Sequence, residues 1–373
     1  MVLTIIFAIL FVVFIAATIV CNAFAPAVHA FFNTESSTTS GEKGEDFFKK
    51  DASSAEEQQS NAQAIVEEIA AEGSVLLMND GALPLSEGSK VTLLGATSAD
   101  IITGGTGSGS VAVTGKTNLK TALEQSGFEV NSTMWNFYTS GAGSQYKRED
   151  GSGALNNVLP DFTTFSINEV PQSAYTDAEW NSVKDYGDAA IVVLGRVCGE
   201  GFDLPWFNAG DGTGNILELT KEEQDLLAKA KQLKDAGTVK QIVVILNTSY
   251  ALELDFLNPD ICGTDYGIDA CMWIGLPGES GLNGVADILA GIVNPSGKLV
   301  STYTYDNLSS PAMQNMWVTP YTNASEQGLS YGGNGSLYNQ YYIAYQEGIY
   351  VGYRYYETRY EDYVLGNSKV GDY

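Results

Sequence analysis

The chain has 373 residues, with 45 acidic and 19 basic side chains and a formal net charge of -26. That balance argues against a nucleic-acid partner, whose phosphates need a basic footprint, and it suits a soluble, secreted protein acting on neutral substrates. The length allows roughly two to three domains. The single histidine, His29, rules out a His-based triad or a His-rich metal site, and the four cysteines form no CxxC pair. Neither a metal nor a cofactor is expected.

Residues 1–34 contain no Asp, Glu, Lys or Arg, and Val2 to Val20 is almost wholly apolar. That is about the ~20 residues a membrane-spanning helix needs. Val28-His29-Ala30 resembles a cleavage site, so a secretory signal competes with an uncleaved anchor. The missing basic start and the length of the apolar run favour the anchor. Either way, the expected location is the extracellular face of the cell membrane or the medium. Residues 35–60, rich in Ser, Thr, Glu and Lys, read as a flexible linker.

A helix is expected from Ser60, with Ile65, Val66, Ile69 and Ala70 on one face. Strand and helix signals then alternate. Val91 to Gly95 is a strand, followed by the glycine loop GGTGSG at Gly104 to Gly109 and a helix over Asn118 to Ser126. Ser140 to Tyr175 reads as a long surface excursion. Ala189 to Gly195 is a buried strand. Thr220 to Ala236 is a helix opened by a capping box, Thr220 with Glu223. Gln241 to Asn247 and Ala270 to Gly275 are further strands, and Leu282 to Ile292 is the last helix. This alternation predicts an α/β fold: one doubly wound, largely parallel sheet with helices on both faces, over residues 61–305. Residues 306–373, rich in Tyr and Gly, show no periodic helix and read as an incomplete extension.

Cys262 and Cys271 are close enough in sequence to bridge; otherwise Cys271 is a buried strand residue. Gly109 to Thr117, GSVAVTGKT, approaches a phosphate loop but has five residues between its glycines where the motif needs four. A glycine loop shaping a sugar pocket fits better, with a purely structural loop as the alternative. Asn131, Asn247, Asn307, Asn323 and Asn334 begin glycosylation-type triplets, and Asn247 is read as a strand cap.

The chemistry is placed on VLGRVCGEGFD, Val193 to Asp203. A loop leaving the C-terminal end of a sheet strand is the usual ligand position in α/β folds. Here it carries Arg196, Glu200 and Asp203 past Gly199 and Gly201, whose backbones turn sharply and admit a ligand. Glu200 is the candidate catalytic acid. Arg196, Asp203 and Trp206 are candidate substrate-binding residues. For Asp203 the favoured reading is structural, hydrogen-bonding backbone groups of the loop, and Trp206 and Phe207 either stack on a sugar or pack on the sheet.

Several segments in order resemble the C-terminal α/β domain of glycoside hydrolase family 3, the β-glucosidase and β-xylosidase family. EIAAEGSVLLMNDGALPL, Glu68 to Leu85, is similar to the segment that opens that domain. GGTGSG follows one strand later. RVCGEGFD resembles the family's SGEGxDR loop. Trp273 to Tyr303 resembles its closing helix and NPSG turn, and Tyr345 to Glu357 resembles a segment leading toward a fibronectin-like domain. Cys198 and Leu204 depart from the family pattern; Glu200 does not.

The resemblance implies a retaining β-glycosidase with Glu200 as general acid/base, acting on a β-linked oligosaccharide or other glycoside. It also implies a nucleophilic Asp on a (β/α)8 barrel. Such a barrel needs about 250 residues, for which this sequence has no room. The expectation is therefore the front part of an inverted-order enzyme, inactive by itself. The alternative is a non-catalytic, surface-tethered carbohydrate-binding module.

Overall fold

The computed structural model describes residues 2–31, 51–105, 109, 111, 117–152, 161–197, 216–315, 319–320, 322–323, 341–342 and 344–367. The chain divides into two compact units, 1–58 and 59–373. In the first, helix α1 spans Val2–Phe31, and the side chains described from Leu10 to Phe24 stand exposed. Among the described residues no helix is long and apolar enough to cross a membrane. The expected anchor is not carried by these residues.

The remaining elements run in chain order. Helix α2 is Ala55–Gly73, followed by strands β1 Val75–Asn79 and β2 Lys90–Leu94, then helices α3 Ala96–Ala99 and α4 Leu119–Gln125. Strand β3 Glu129–Val130, helix α5 Ser132–Thr139, and a hairpin of β4 Glu149–Ser152 with β5 Asp161–Ser166 come next. Then follow α6 Asp177–Ser182, β6 Ala189–Arg196, α7 Lys221–Asp235, β7 Ile242–Thr248, α8 Pro259–Cys262, β8 Ala270–Trp273 and α9 Leu282–Leu289. The last elements are α10 Pro311–Asn315, β9 Thr319–Pro320 paired with β10 Tyr341–Tyr342, and α11 Tyr353–Val364.

Six strands form the main sheet in the order β1-β8-β7-β6-β2-β3. Five are parallel, and β1 closes the β8 edge antiparallel. The sheet is therefore mixed. All eight residues of β6 and all seven of β7 are buried, as a strand covered on both faces requires. Alternate residues serve opposite layers. Leu93, Ile191, Val193, Val243 and Ile245 pack with Leu119, Leu123, Leu282, Val285 and Leu289 of α4 and α9. Leu94, Val192, Leu194, Val244 and Leu246 pack with Met134, Phe137, Leu226 and Leu227 of α5 and α7.

Two details depart from expectation, in α2 and in α11, and the alternative left open for the cysteines is decided. Ile65 and Ile69 of α2 are exposed, while Ala70 and Ala71 are buried. The helix docks through small residues: a methyl group on Gly281 would lie 2.7 Å from Ala70 Cβ, and one on Gly284 would lie 2.3 Å from Glu67 O. Cys262 and Cys271 are free thiols. Cys271 is sealed in β8, while Cys262 Sγ donates to Thr264 O at 3.1 Å. Beyond residue 305, α11 is a helix where none was expected, and its Tyr353, Tyr360 and Tyr363 are exposed, so its polar sequence follows no buried stripe.

Candidate active site at the switch point of the sheet

Strand β2 pairs with β3 on one side and β6 on the other, and the chain proceeds through β7 and β8 beyond β6. The winding direction reverses between β2 and β6. In open α/β sheets the crevice at the carboxyl ends of such a pair is where ligands bind. β2 ends at Leu94 and β6 at Arg196, so the segment carrying Glu200 leaves the sheet at that crevice.

Both ends of this segment are fixed. Val197 and Ile216 are buried with Ile102 and Ile167 in one apolar cluster. Arg196 turns inward and is almost fully buried. Its Nε donates to Ile216 O (2.9 Å), Nη1 to Gly195 O (2.9 Å) and Nη2 to Glu218 O (2.9 Å). Nη1 and Nη2 also grip Glu223 Oε1 and Oε2 at 2.6 and 2.8 Å. A guanidinium has five N–H groups, and all five are engaged. Arg196 therefore has no donor left for a sugar. It ties the strand that precedes the loop to the backbone that follows it, which corrects the expectation that it binds substrate.

Glu223 serves two structures at once. Its Oε2 accepts the Thr220 N–H at 2.8 Å while Thr220 Oγ1 accepts the Glu223 N–H at 3.2 Å, completing the capping box of α7. The capping box was legible in the sequence; its use as the counter-ion of Arg196 was not. Burial opposes the charge on Arg196, and Glu223 overcomes it, leaving the guanidinium pKa above its ordinary value.

A second polar group sits on the β2 side. Glu169 is buried, and its carboxyl accepts the N–H of Ala96 (3.1 and 3.0 Å) and of Val170 (2.7 Å). Burial pushes its pKa up to about 8 against the pull of those N–H groups. Beside it, Tyr138 Oη accepts the Gly95 N–H at 2.9 Å and shares a 2.6 Å hydrogen bond with Tyr175 Oη. Both phenols are raised above their ordinary range, first by burial. Gly95 has φ +94, and a Cβ there would lie 2.7 Å from Val193 O and 3.3 Å from Glu169 Oε2. Only glycine lets β2 end this close to β6. None of these residues stands out in the sequence; the one signal is an acid placed between Ile167 and Val170 just before a proline.

Asn247, at the end of β7, joins the loops on either side. Its Oδ1 accepts the Ile102 N–H at 2.7 Å, and its Nδ2 donates to Ile102 O at 3.0 Å and Gly275 O at 2.7 Å. It bridges loops rather than capping a strand. With Asn131 and Asn307 it is buried, so three of the five glycosylation-type triplets have an inaccessible asparagine.

Glu200, Asp203, Trp206 and Phe207 lie outside the described residues, as does most of the GSVAVTGKT segment, 112–116. Among the described residues no cluster of His, Cys, Asp or Glu is arranged to hold a metal ion.

Residues 74–353 match the model of the glycosyl hydrolase family 3 C-terminal domain. The chain belongs to glycosyl hydrolase family 3. It is 27% identical over 299 residues to a β-glucosidase of Ruminococcus albus, covering 80% of this chain and 26% of that protein. It is also 27% identical over 314 residues to β-glucosidase A of Butyrivibrio fibrisolvens, covering 78% and 32%. Among solved structures, a β-glucosidase from Paenibacillus barengoltzii superposes with a TM-score of 0.59 at 26% identity, over 79% of this chain and 27% of that one. β-Glucosidase 3B from Thermotoga neapolitana, solved with glucose, shares the fold at a TM-score of 0.60 and 24% identity, over 81% and 37%. The chain spans about a quarter to a third of the length of these relatives.

Proposed function

We propose that this family 3 chain is the α/β part of a retaining β-glycosidase and supplies Glu200 as the general acid/base. The observation that carries the reading is the position of β6: the segment with Glu200 leaves its carboxyl end at the switch point, with its base clamped by Arg196. The β-glucosidases among its relatives give the substrate class, a β-linked glycoside.

In this mechanism a nucleophilic carboxylate attacks the anomeric carbon as the Glu200 carboxyl gives its proton to the departing oxygen. The glycosyl ester is then cleaved by a water whose proton returns to Glu200. The two carboxyl groups must stand roughly 5–5.5 Å apart. The nucleophile is assigned to a barrel outside this sequence, so the chain alone is expected to be inactive. Asp203 is assigned to holding the loop backbone or a substrate hydroxyl, and Trp206 to stacking on the sugar beyond the scissile bond. Extracellular exposure belongs to the same proposal, supported by the charge-free residues 1–34.

The test is an assay on aryl β-glycosides, by the chain alone and fused to a family barrel. Turnover is expected only in the fusion. Glu200→Gln should depress it most for poor leaving groups, which need the proton, and least for good ones. Turnover by the isolated chain that Glu200→Gln abolishes would overturn the need for a barrel. Equal turnover of wild type and Glu200→Gln in the fusion would remove the acid/base assignment.

A further inference from the structure

A cavity of about 130 Å³ opens beside α3, on the outer side of the β2 end. Its walls come from four segments: Ala96 to Asp100, the end of α5 at Thr139, the turn Gly143 to Arg148, and Ile167. We propose that this cavity holds one neutral pyranose ring, on the leaving-group side of the glycoside. The proposal rests on the glycosidase reading above for the identity of its substrate, and on the cavity's own chemistry for the ligand class.

The cavity is held in shape by contacts that leave other groups free. Arg148 Nη1 donates to Asp100 O at 2.5 Å and pairs with Asp100 Oδ2 at 3.0 Å, locking the turn to the segment after β2. Asn168 Nδ2 fixes the other side of the turn by donating to Lys147 O at 2.9 Å. Gly143 forms the floor, since a Cβ there would lie 2.6 Å from the Phe137 ring.

Into this frame project groups suited to a sugar. Tyr146 is half-buried, its ring packed against the α5–α7 layer. Among the described residues its hydroxyl has no protein partner, and neither does the Lys147 ammonium. Thr139 Oγ1 spends its proton on Trp135 O at 2.9 Å and keeps lone pairs to accept. An aromatic face for ring C–H groups, with a carboxylate, an ammonium and hydroxyls around it, is a donor and acceptor set for a polyhydroxylated ring. A drug-sized pocket runs to roughly 300–1,000 Å³, so this one suits a single ring.

The cavity also touches the acid loop. Ile167, in its wall, packs with Val197 and Ile216, the fixed ends of that loop. Thr97, another wall residue, lies against Gly195, where a Cβ would meet its Cγ2 at 2.6 Å. A ring held here therefore lies next to the base of the segment carrying Glu200.

The experiment is a calorimetric and ligand-observed NMR titration of the chain with cellobiose and with methyl β-glucopyranoside. Saturable millimolar binding is expected. Tyr146→Ala should weaken it at least tenfold, and Tyr146→Phe, which keeps the ring, by no more than about fivefold, with cooperative thermal unfolding showing that both variants are folded at the titration temperature. Glu200→Gln should leave binding intact. The proposal is overturned if no saturable binding is found or if Tyr146→Ala binds as wild type. It is equally overturned if Glu200→Gln removes binding while Tyr146→Ala is neutral, which would place the sugar at the acid loop. Intact Tyr146-dependent binding with no effect of Glu200→Gln on turnover in the fusion would keep the cavity and remove the acid/base role.

Discussion

Arg196 and Glu223 meet through two parallel contacts, Nη1–Oε1 at 2.6 Å and Nη2–Oε2 at 2.8 Å, with both side chains closed off from solvent. The pair joins the last residue of β6 to the first turn of α7, across the segment proposed to carry the catalytic acid.

Removing one partner leaves an uncompensated buried charge. Arg196→Met or Glu223→Leu is therefore expected to cost about 3–5 kcal/mol, read from urea unfolding of the chain. The double change Arg196→Met with Glu223→Leu should cost less than the sum of the singles, because no charge is stranded. Additive losses would show that the two side chains act separately.

Glu169 gives a pH dependence of definite sign. Its pKa rises on folding from 4.5 to about 8, so between those values the folded chain holds a proton that the unfolded chain has lost. The stabilising contribution is complete below about pH 4.5 and is lost as pH rises through 8. Glu169→Gln, which mimics the protonated acid, should flatten the fall in melting temperature between pH 5 and pH 8.5. Parallel profiles for wild type and variant would show that Glu169 is ionised throughout.

Gly95→Ala places a methyl group 2.7 Å from Val193 O at φ +94. A loss of about 1–3 kcal/mol is expected from the strained backbone alone, again from urea unfolding. Gly88→Ala, also at positive φ but with no atom within 4 Å of the added methyl, separates backbone strain from steric conflict. It should cost less than Gly95→Ala.

Asn131, Asn247 and Asn307 are buried in triplets that read as glycosylation sites. When the chain is produced in a glycosylating host, peptide mass spectrometry should find all three unmodified. Asn247→Ala should cost about 2–3 kcal/mol, since it leaves the Ile102 N–H and two carbonyls without their partner.

The apolar strands were legible because burial on both faces leaves runs such as Ile191 to Leu194 and Ile242 to Leu246 with no polar interruption. Helix α7 was legible from Thr220 and Glu223. β1 escaped notice because VLLMN opens directly after α2 and pairs only across a long sequence separation, with β8. β3 is two residues long and has no periodicity to read. Arg196 was read as a ligand-binding cation since nothing local reveals that its partners lie 20 to 27 residues away. Glu169 and Tyr138 meet only through the fold, from opposite sides of the β4–β5 hairpin.

The way the main sheet ends bears on association. On one side the ladder stops at two residues of β3; on the other, β1 runs against its neighbour and breaks register between Leu76 and Met78. Neither margin offers a long, flat row of amide and carbonyl groups to a passing extended chain. Growth of this sheet by strand exchange between copies is thereby discouraged at both flanks, even though its central strands are among the most apolar stretches of the sequence.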